Sequence, residues 1–415
     1  MNQTIENPRE ARGFQIAQSG GIVRKGMNLY KVPAQGGSGT YTVNFGEHEP
    51  TCDCPDCQTR HVRCKHQFAV EYFLKFEKDN QGNMTVTETK RITYPQNWKA
   101  YNKAQTSEVE SFDNLLKDLV SSVEEPERDD SLTGRKPISF ADGLFCSIQK
   151  VYSQLSSRRA HSLYRSARGK EQIDKAPNFN AINKFLNKEN ITPVLQELLK
   201  LSALPLKSVE TQFAVDSSGF RTTRFNEYCR HKHHTKGEHN WVKAHIMVGV
   251  KTNTVVSAEI THSRANDSPY FEPLVKRAHE DGFSLNEVSA DKAYSSKMNL
   301  KLVDDLGGES YIPFKKNVSD KPARIKTHNR DGHNVWIRMY HYFKFRNDEF
   351  MEHYHKRSNV ETTFYMIKQK FGETLKSKNE IAQKNELLCK LIAHNIVVLI
   401  HEVEELGINI EFPNL

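Results

Sequence analysis

The chain has no apolar run long enough to cross a bilayer, only 3 tryptophans in 415 residues, and only 7 cysteines. Its greasiest stretch, 387–400, is broken by Lys390, His394 and Asn395, so it reads as a helix of a protein core rather than a membrane span. No leader-like segment opens the chain, which excludes a secreted disulfide scaffold and leaves a reducing compartment, the cytoplasm or nucleoid, as the expectation. Charge of one sign is also scarce: 59 Lys and Arg stand against 51 Asp and Glu, a net +8. That excess permits a nucleic-acid partner without arguing for one.

What the chain has is local concentration. Cys52, Cys54, Cys57 and Cys64 crowd into one window with His61 and His66. Thiols and imidazoles so spaced suit a tetrahedral zinc site better than a disulfide pair in a reducing compartment. Strand-like pieces at 28–32 and 39–45, and a helix from about Gln67, would complete a small β-rich module that needs its metal to fold. A second cluster, Cys229, His231, His233, His234 and His239, follows no tetrahedral spacing and reads as a solvated basic loop.

Two aspartates end strand-like runs. Asp216 follows Phe213-Ala-Val215 and precedes a Ser-Ser-Gly turn; Asp291 follows Val288-Ser-Ala290. A carboxylate at a buried strand end is costly unless it is paired or binds metal, although Asp291 would serve equally as a helix N-cap. Farther on, Tyr354, Arg357, Glu361 and Lys368 fall within roughly 60° of one another on a helix turning about 100° per residue. An acid between two bases suits a divalent cation flanked by phosphate oxygens, as backbone cutting requires; a solvated face with an i,i+4 Arg–Glu pair is the bland alternative.

The spacing Tyr354-x2-Arg357-x3-Glu361-x6-Lys368, preceded by Asp216 and Asp291, resembles the insertion-sequence transposases with a ribonuclease-H-like DDE domain. The resemblance spans about 213–400, with only a small insertion possible between Asp291 and Glu361. It implies that Asp216, Asp291 and Glu361 hold Mg²⁺ (or Mn²⁺), that Arg357 and Lys368 hold DNA phosphates, and that Tyr354 orients a phosphate or base. It implies cleavage by water followed by joining of the freed 3′-OH to target DNA, at the ends of the chain's own element, by a dimer on double-stranded DNA. Cys52-x-Cys54-x9-Cys64-x-His66 likewise resembles the SWIM zinc finger, whose match selects Cys52, Cys54, Cys64 and His66 as Zn²⁺ ligands with Cys57 and His61 as extra candidates. No organic cofactor and no membrane partner are expected. A silent DNA-binding regulator descended from such an enzyme, or a stand-alone nuclease, is the alternative.

The expected class is α/β: a ribonuclease-H-like mixed sheet flanked by helices, preceded by a helical segment and a small β-rich zinc module. The expected boundaries are 1–102 for the zinc module, 103–136 for a linker with one short helix, 137–207 for helices that are candidates for DNA binding through a helix-turn-helix or for mere support, and 208–415 for the catalytic domain with its C-terminal helix. Within that domain a hairpin at 241–250 and 254–261, helices at 268–281 and 296–306, a strand at 310–314, one or two strands at 334–345, and the glutamate helix from about Asp348 are expected. Lys243, on a strand face with Trp241 and His245, is a candidate for a phosphate contact, and Trp241 for a base stack or a packing role.

Overall fold

The structure is a computed structural model that describes residues 7–26, 29–36, 39–44, 50–60, 62–78, 84–86, 97–124, 138–222, 241–315, 318 and 332–413. It divides into two compact units, Met1–Pro95 and Gln96–Leu415. His61 and the cluster from Cys229 to His239 lie outside the described residues.

In the first unit, helix α1 (Pro8–Ser19) starts on Asn7, whose side chain caps Arg9 N. Strands β1 (Val23–Arg24), β2 (Leu29–Pro33), β3 (Thr40–Asn44) and β4 (Thr51–Cys52) form an antiparallel sheet in chain order. Helices α2 (Pro55–Arg60) and α3 (Lys65–Lys75) follow, then a short β5 (Phe76–Lys78) and β6 (Met84–Val86) pair. Helix α1 lies so close to α3 that a Cβ on Gly13 would stand 2.5 Å from Phe68 Cβ, which explains glycine there. Tyr30, Val32 and Val43 alternate into a core whose other members include Cys52, Cys54 and Cys64. A core this small depends on whatever joins those sulfurs.

The second unit begins with a correction. The segment 103–136, rich in Ser, Asp and Glu, is expected to be a linker with one short helix at 111–123, yet helix α4 runs from Trp98 to Ser121. Thr106, Ser107 and Ser121 turn their hydroxyls onto carbonyls one helical turn back, which keeps polar residues inside the helix. Ala104, Phe112, Leu116 and Leu119 form its buried stripe. Helices α5 (Phe140–Tyr152), α6 (Ser157–Gly169), α7 (Phe179–Leu186) and α8 (Ile191–Ala203) then share one continuous core with the sheet that follows, so 137–207 is not a domain apart from 208–415.

That sheet has five strands in the order β11-β10-β7-β8-β9. Strands β7 (Gln212–Arg221), β8 (Trp241–Gly249) and β9 (Val255–His262) are antiparallel neighbours. Strands β10 (Glu287–Ala290) and β11 (Glu309–Tyr311) join in parallel, β10 beside β7. The Ser-Ser-Gly expected to turn the chain after Asp216 instead pairs with β8, Ser217 opposite His245 and Gly219 opposite Lys243, so Asp216 sits inside a strand. Side chains alternate between faces. Ala214, Phe220, Ala244 and Ile246 face the helical bundle. Phe213, Val215, Val288 and Ala290 face helices α9 (Phe271–Glu280), α10 (Lys297–Asp305), α11 (His333–Phe345) and α12 (Asn347–Tyr354).

Helix α11 is the second correction, since 334–345 was expected to add strands. Its alternating aromatics suit either period, but Trp336, Tyr340 and Phe343 recur at helical spacing and close around Phe314 with ring centroids 4.7, 5.3 and 5.7 Å away. A short 3-10 turn, His355–Arg357, joins α12 to helix α13 (Ser358–Phe371), so the expected single glutamate helix is two helices with a joint. Gly372, with φ 78°, ends α13.

The last helix, α14 (Glu380–Leu406), is buried on nearly every side between Ala382 and Ile400. The polar residues that interrupt its apolar run are its fasteners. Asn395 accepts from Val255 N and donates to Val255 O, both at 2.8 Å, and donates to Ser202 Oγ at 2.9 Å, tying α14 to the sheet edge and to α8. Replacing Asn395 with Leu would strand a buried N–H and C=O of Val255. The expected cost is about 2–4 kcal/mol, seen as a lower denaturant midpoint; a midpoint equal to wild type would show that these bonds carry no net stability.

Candidate active site and metal centre

Parallel pairing sets the acidic site. Val215 lies opposite Ala290, and the residues that follow them are Asp216, within β7, and Asp291, just past the end of β10. By the two-residue alternation both leave the face that carries Val215 and Ala290 and turn toward the face on which α13 packs. Glu361 stands one turn into α13.

Arg357 connects the two elements. Its Nη1 donates to Asp216 Oδ2 at 2.6 Å and its Nη2 to Glu361 Oε1 at 2.5 Å, so one guanidinium spans the strand and helix carboxylates. Asp216 also accepts from Ser217 N at 2.8 Å. Its carboxyl is nonetheless held above the usual carboxylate range: burial is the largest cause, and the charges of Asp291 and Glu361 add to it against Ser217 N and Arg357. Burial works against the charge of Arg357, but Tyr354, Asp216 and Glu361 together hold its pKa above the ordinary value. Asp291 accepts from Lys292 N at 2.7 Å and caps a 3-10 turn, so the cap reading and the site reading describe the same side chain.

The joint that carries Arg357 is bolted to β10. Glu287 Oε2 accepts from Lys356 Nζ at 2.6 Å and lies 3.0 Å from His353 Nδ1, and His353 stacks on Tyr311 of β11 with ring centroids 4.3 Å apart. Tyr354 places its ring 5.9 Å from the Arg357 guanidinium carbon. Burial first, and then the Asp291 and Asp216 charges, push its phenol up. Lys368 donates to Ser218 Oγ at 2.7 Å and lies 5.2 Å from the Phe220 ring centroid, packed along β7 beyond Asp216; burial pulls its ammonium down.

Lys243 is not brought to the carboxylates. Opposite Gly219 and two residues from His245, it occupies the other sheet face, where it pairs with Asp267 at 2.5 Å and donates to Ala265 O at 3.2 Å. Trp241 is half exposed and packs over Gly219. Asp267 accepts from Ser217 Oγ at 2.8 Å, next to Asp216, and lies 3.4 Å from His245 Nδ1. His245 is fully buried, and burial pulls its pKa to about 4, so its imidazole is neutral near pH 7. Glu287, Ser218 and Asp267 had no sequence signal beyond their type, because their partners come from elements distant in the sequence.

The carboxylates do not yet converge as a cation's ligands would. Among the described residues, only Cys52, Cys54, Cys64 and His66 bring three or more ligand atoms within 4.8 Å of one another, whereas Arg357 occupies the space between Asp216 and Glu361. An acidic set with a cation already bridging it fits a divalent ion that takes over that charge.

The cysteine site is built tightly. Cys52 ends β4, Cys54 opens the turn into α2, and Cys64 and His66 lie at the start of α3. His66 Nδ1 is 3.9 Å from both Cys52 Sγ and Cys64 Sγ, and all four ligands are buried. Hydrogen bonding from the Cys52 thiol, with His66 and Gln67 N assisting, pulls Cys64 down to about 4, as suits a thiolate ligand. Cys57 stands outside the quartet with its sulfur 4.0 Å from Gln67 Oε1. The set fits a four-coordinate metal with no ligand left over.

Residues 207–396 match the family model described as the transposase DDE domain. A probable transposase for insertion sequence element ISA1214 from Archaeoglobus fulgidus is 24% identical over 218 residues, covering 52% of this chain and 62% of that protein. The chain therefore spans less than two thirds of that relative's length. A solved piggyBac transposase synaptic complex with hairpin DNA is similar at TM-score 0.34 and 12% identity, over 76% of this chain and 77% of that one. The matched segment, 207–396, includes Asp216, Asp291 and Glu361.

Proposed function

We propose that this protein is a transposase that cuts DNA at the ends of its own insertion sequence and joins the freed 3′ ends to target DNA. The observation that carries the reading is that Asp216 and Asp291 directly follow the paired Val215 and Ala290 of two parallel strands, with Glu361 joined to Asp216 through one arginine. The transposase DDE match over 207–396 and the relative described as a probable insertion-sequence transposase support it. The intact acidic set favours an enzyme over a silent regulator.

In this reading Asp216, Asp291 and Glu361 hold Mg²⁺ or Mn²⁺, which when bound would polarise the scissile phosphate and sharpen the attacking oxygen. Arg357, released from its two carboxylates, presents a planar fork suited to two phosphate oxygens. Tyr354, whose phenol keeps its proton, donates a hydrogen bond to a phosphate or base beside it. Lys368 keeps one ammonium N–H on Ser218 and offers the others to a phosphate along β7. The joint fastened by Glu287 to Lys356 and His353 keeps the arginine in line with the strands. A dimer on DNA would bring two element ends together.

Glu361→Gln keeps the helix and the Arg357 contact but removes an anionic ligand. It is expected to lower strand cleavage at least a hundredfold while end binding persists, measured on labelled duplexes carrying the element ends. Cleavage at the wild-type rate would remove Glu361 from the site.

The four buried ligands of the first unit we assign to Zn²⁺, in the manner of a SWIM-type finger. The purified chain should carry about one zinc per protein, and chelation should unfold residues of the first unit while leaving the second folded, as followed by amide exchange. A chain without zinc whose first unit keeps its protection would contradict this assignment.

A further inference from the structure

The hollow enclosed by helices α5, α6 and α7 and the segment leading into α14 is not part of the acidic site. It has a volume of about 290 Å³, and its walls include Lys150, Ser157, Asn183, Lys376 and Lys378. Lys150 is 8% exposed, and among the described residues its ammonium donates to Asn183 Oδ1 at 3.2 Å. Asn183 Oδ1 is shared with Ser157 Oγ at 3.0 Å. A buried ammonium with donors to spare is expensive unless an anion completes it.

The nearest buried acid does not complete it. Glu386 spends both carboxylate oxygens on backbone groups, accepting from Lys376 N and Ser377 N at 2.8 Å each, and thereby holds the wall that carries Lys376 and Lys378. Lys376 also donates to Gln154 O. Burial pulls the Lys150 ammonium down, with Glu386 opposing, which is the state an incoming anion would relieve. Two helix N-termini add positive potential. Ser157 is the first residue of the thirteen-residue α6, whose Ser156 makes no side-chain cap, and Asn379 is the N-cap of α14. Room for several waters, at about 30 Å³ each, is room for a hydrated phosphate.

Lys376 is also a wall of a second hollow of about 520 Å³, which Arg221 and Lys368 line. Basic side chains thus follow one another from Lys368, beside the acidic site, past Arg221, which pairs with Glu373 of the same wall at 3.3 Å, to Lys376 and down to Lys150. We propose that the Lys150 hollow seats a backbone phosphate of duplex DNA, outside the catalytic centre, and that Lys368, Arg221 and Lys376 track the strand between the two. The assignment rests on the DNA-transposing reading above and says where the duplex lies as it leaves the acidic site.

The test is a salt series. Affinity of the full chain for a labelled duplex of arbitrary sequence is measured by fluorescence anisotropy for wild type, Lys150→Met, Lys378→Ala and, as a control on α9, Lys276→Ala. Lys378 is exposed, so its variant folds whatever becomes of the buried Lys150. Each of the first two should flatten the plot of log K against log salt by about 0.9 and weaken binding to every sequence alike, with the control unchanged. Equal slopes in all four proteins would overturn the proposal. A thermal stabilisation by inorganic phosphate that Lys150→Met abolishes, with DNA slopes unchanged, would make the hollow a free-phosphate site and overturn it also. Flattened slopes together with Glu361→Gln cutting at the wild-type rate would leave the phosphate seat standing and remove the acidic site's assignment instead.

Discussion

Placing two carboxylates side by side on parallel strands is the constraint to which much of this fold answers. Neighbouring strands are about 4.8 Å apart, and two unit charges at that distance in a half-buried site repel by roughly 3 kcal/mol at an effective dielectric of 20. Asp216 and Asp291 follow the last paired residues of two such strands, and Asp216 is raised in pKa by burial with the Asp291 and Glu361 charges adding to it. The site needs positive charge. In this structure Arg357 supplies it, bridging Asp216 and Glu361 from a 3-10 joint.

Much of the surrounding architecture holds that joint and those strands still. Glu287 starts β10 and grips Lys356 beside His353, so the strand that brings Asp291 also fixes the turn that brings Arg357. On the other face, Asp267 ties Ser217 to Lys243 and the neutral, buried His245. Behind the sheet, α14 carries Asn395 to the backbone of β9 and His394 to Asn253 O at 2.9 Å in the preceding turn. Burial pulls His394 to about 4, so it serves as a neutral donor. These polar residues inside a core helix fix its register against the sheet, a use of buried hydrogen bonds that apolar packing alone does not replace.

The acidic residues stand out in the sequence because their types and spacings are rare together, and alternation at 241–249 gave the hairpin and its faces directly. The cysteine quartet was equally legible, and Cys52, Cys54, Cys64 and His66 do converge. What the sequence hid was decided by partners. Helix α4 looked like a linker because serine and threonine hydroxyls that usually compete with a helix here bond within it. Helix α11 looked like strands because aromatic residues at short spacing satisfy either period until Phe314 selects one. Ser-Ser-Gly after Asp216 looked like a turn, but β8 pairs with it across its whole length. Lys243 was assigned to the right strand and the wrong face of the site, since Asp267, its partner, gave no sign of proximity.

The central claim is that the arginine now spanning the carboxylates stands in for a divalent cation. Mn²⁺ binding followed by electron paramagnetic resonance tests it most directly, on wild type, Asp216→Asn and Arg357→Ala. The account predicts weaker Mn²⁺ binding in Asp216→Asn and tighter binding in Arg357→Ala, because the competing guanidinium is gone. Binding that is indifferent to Asp216, or weakened by loss of Arg357, would contradict it.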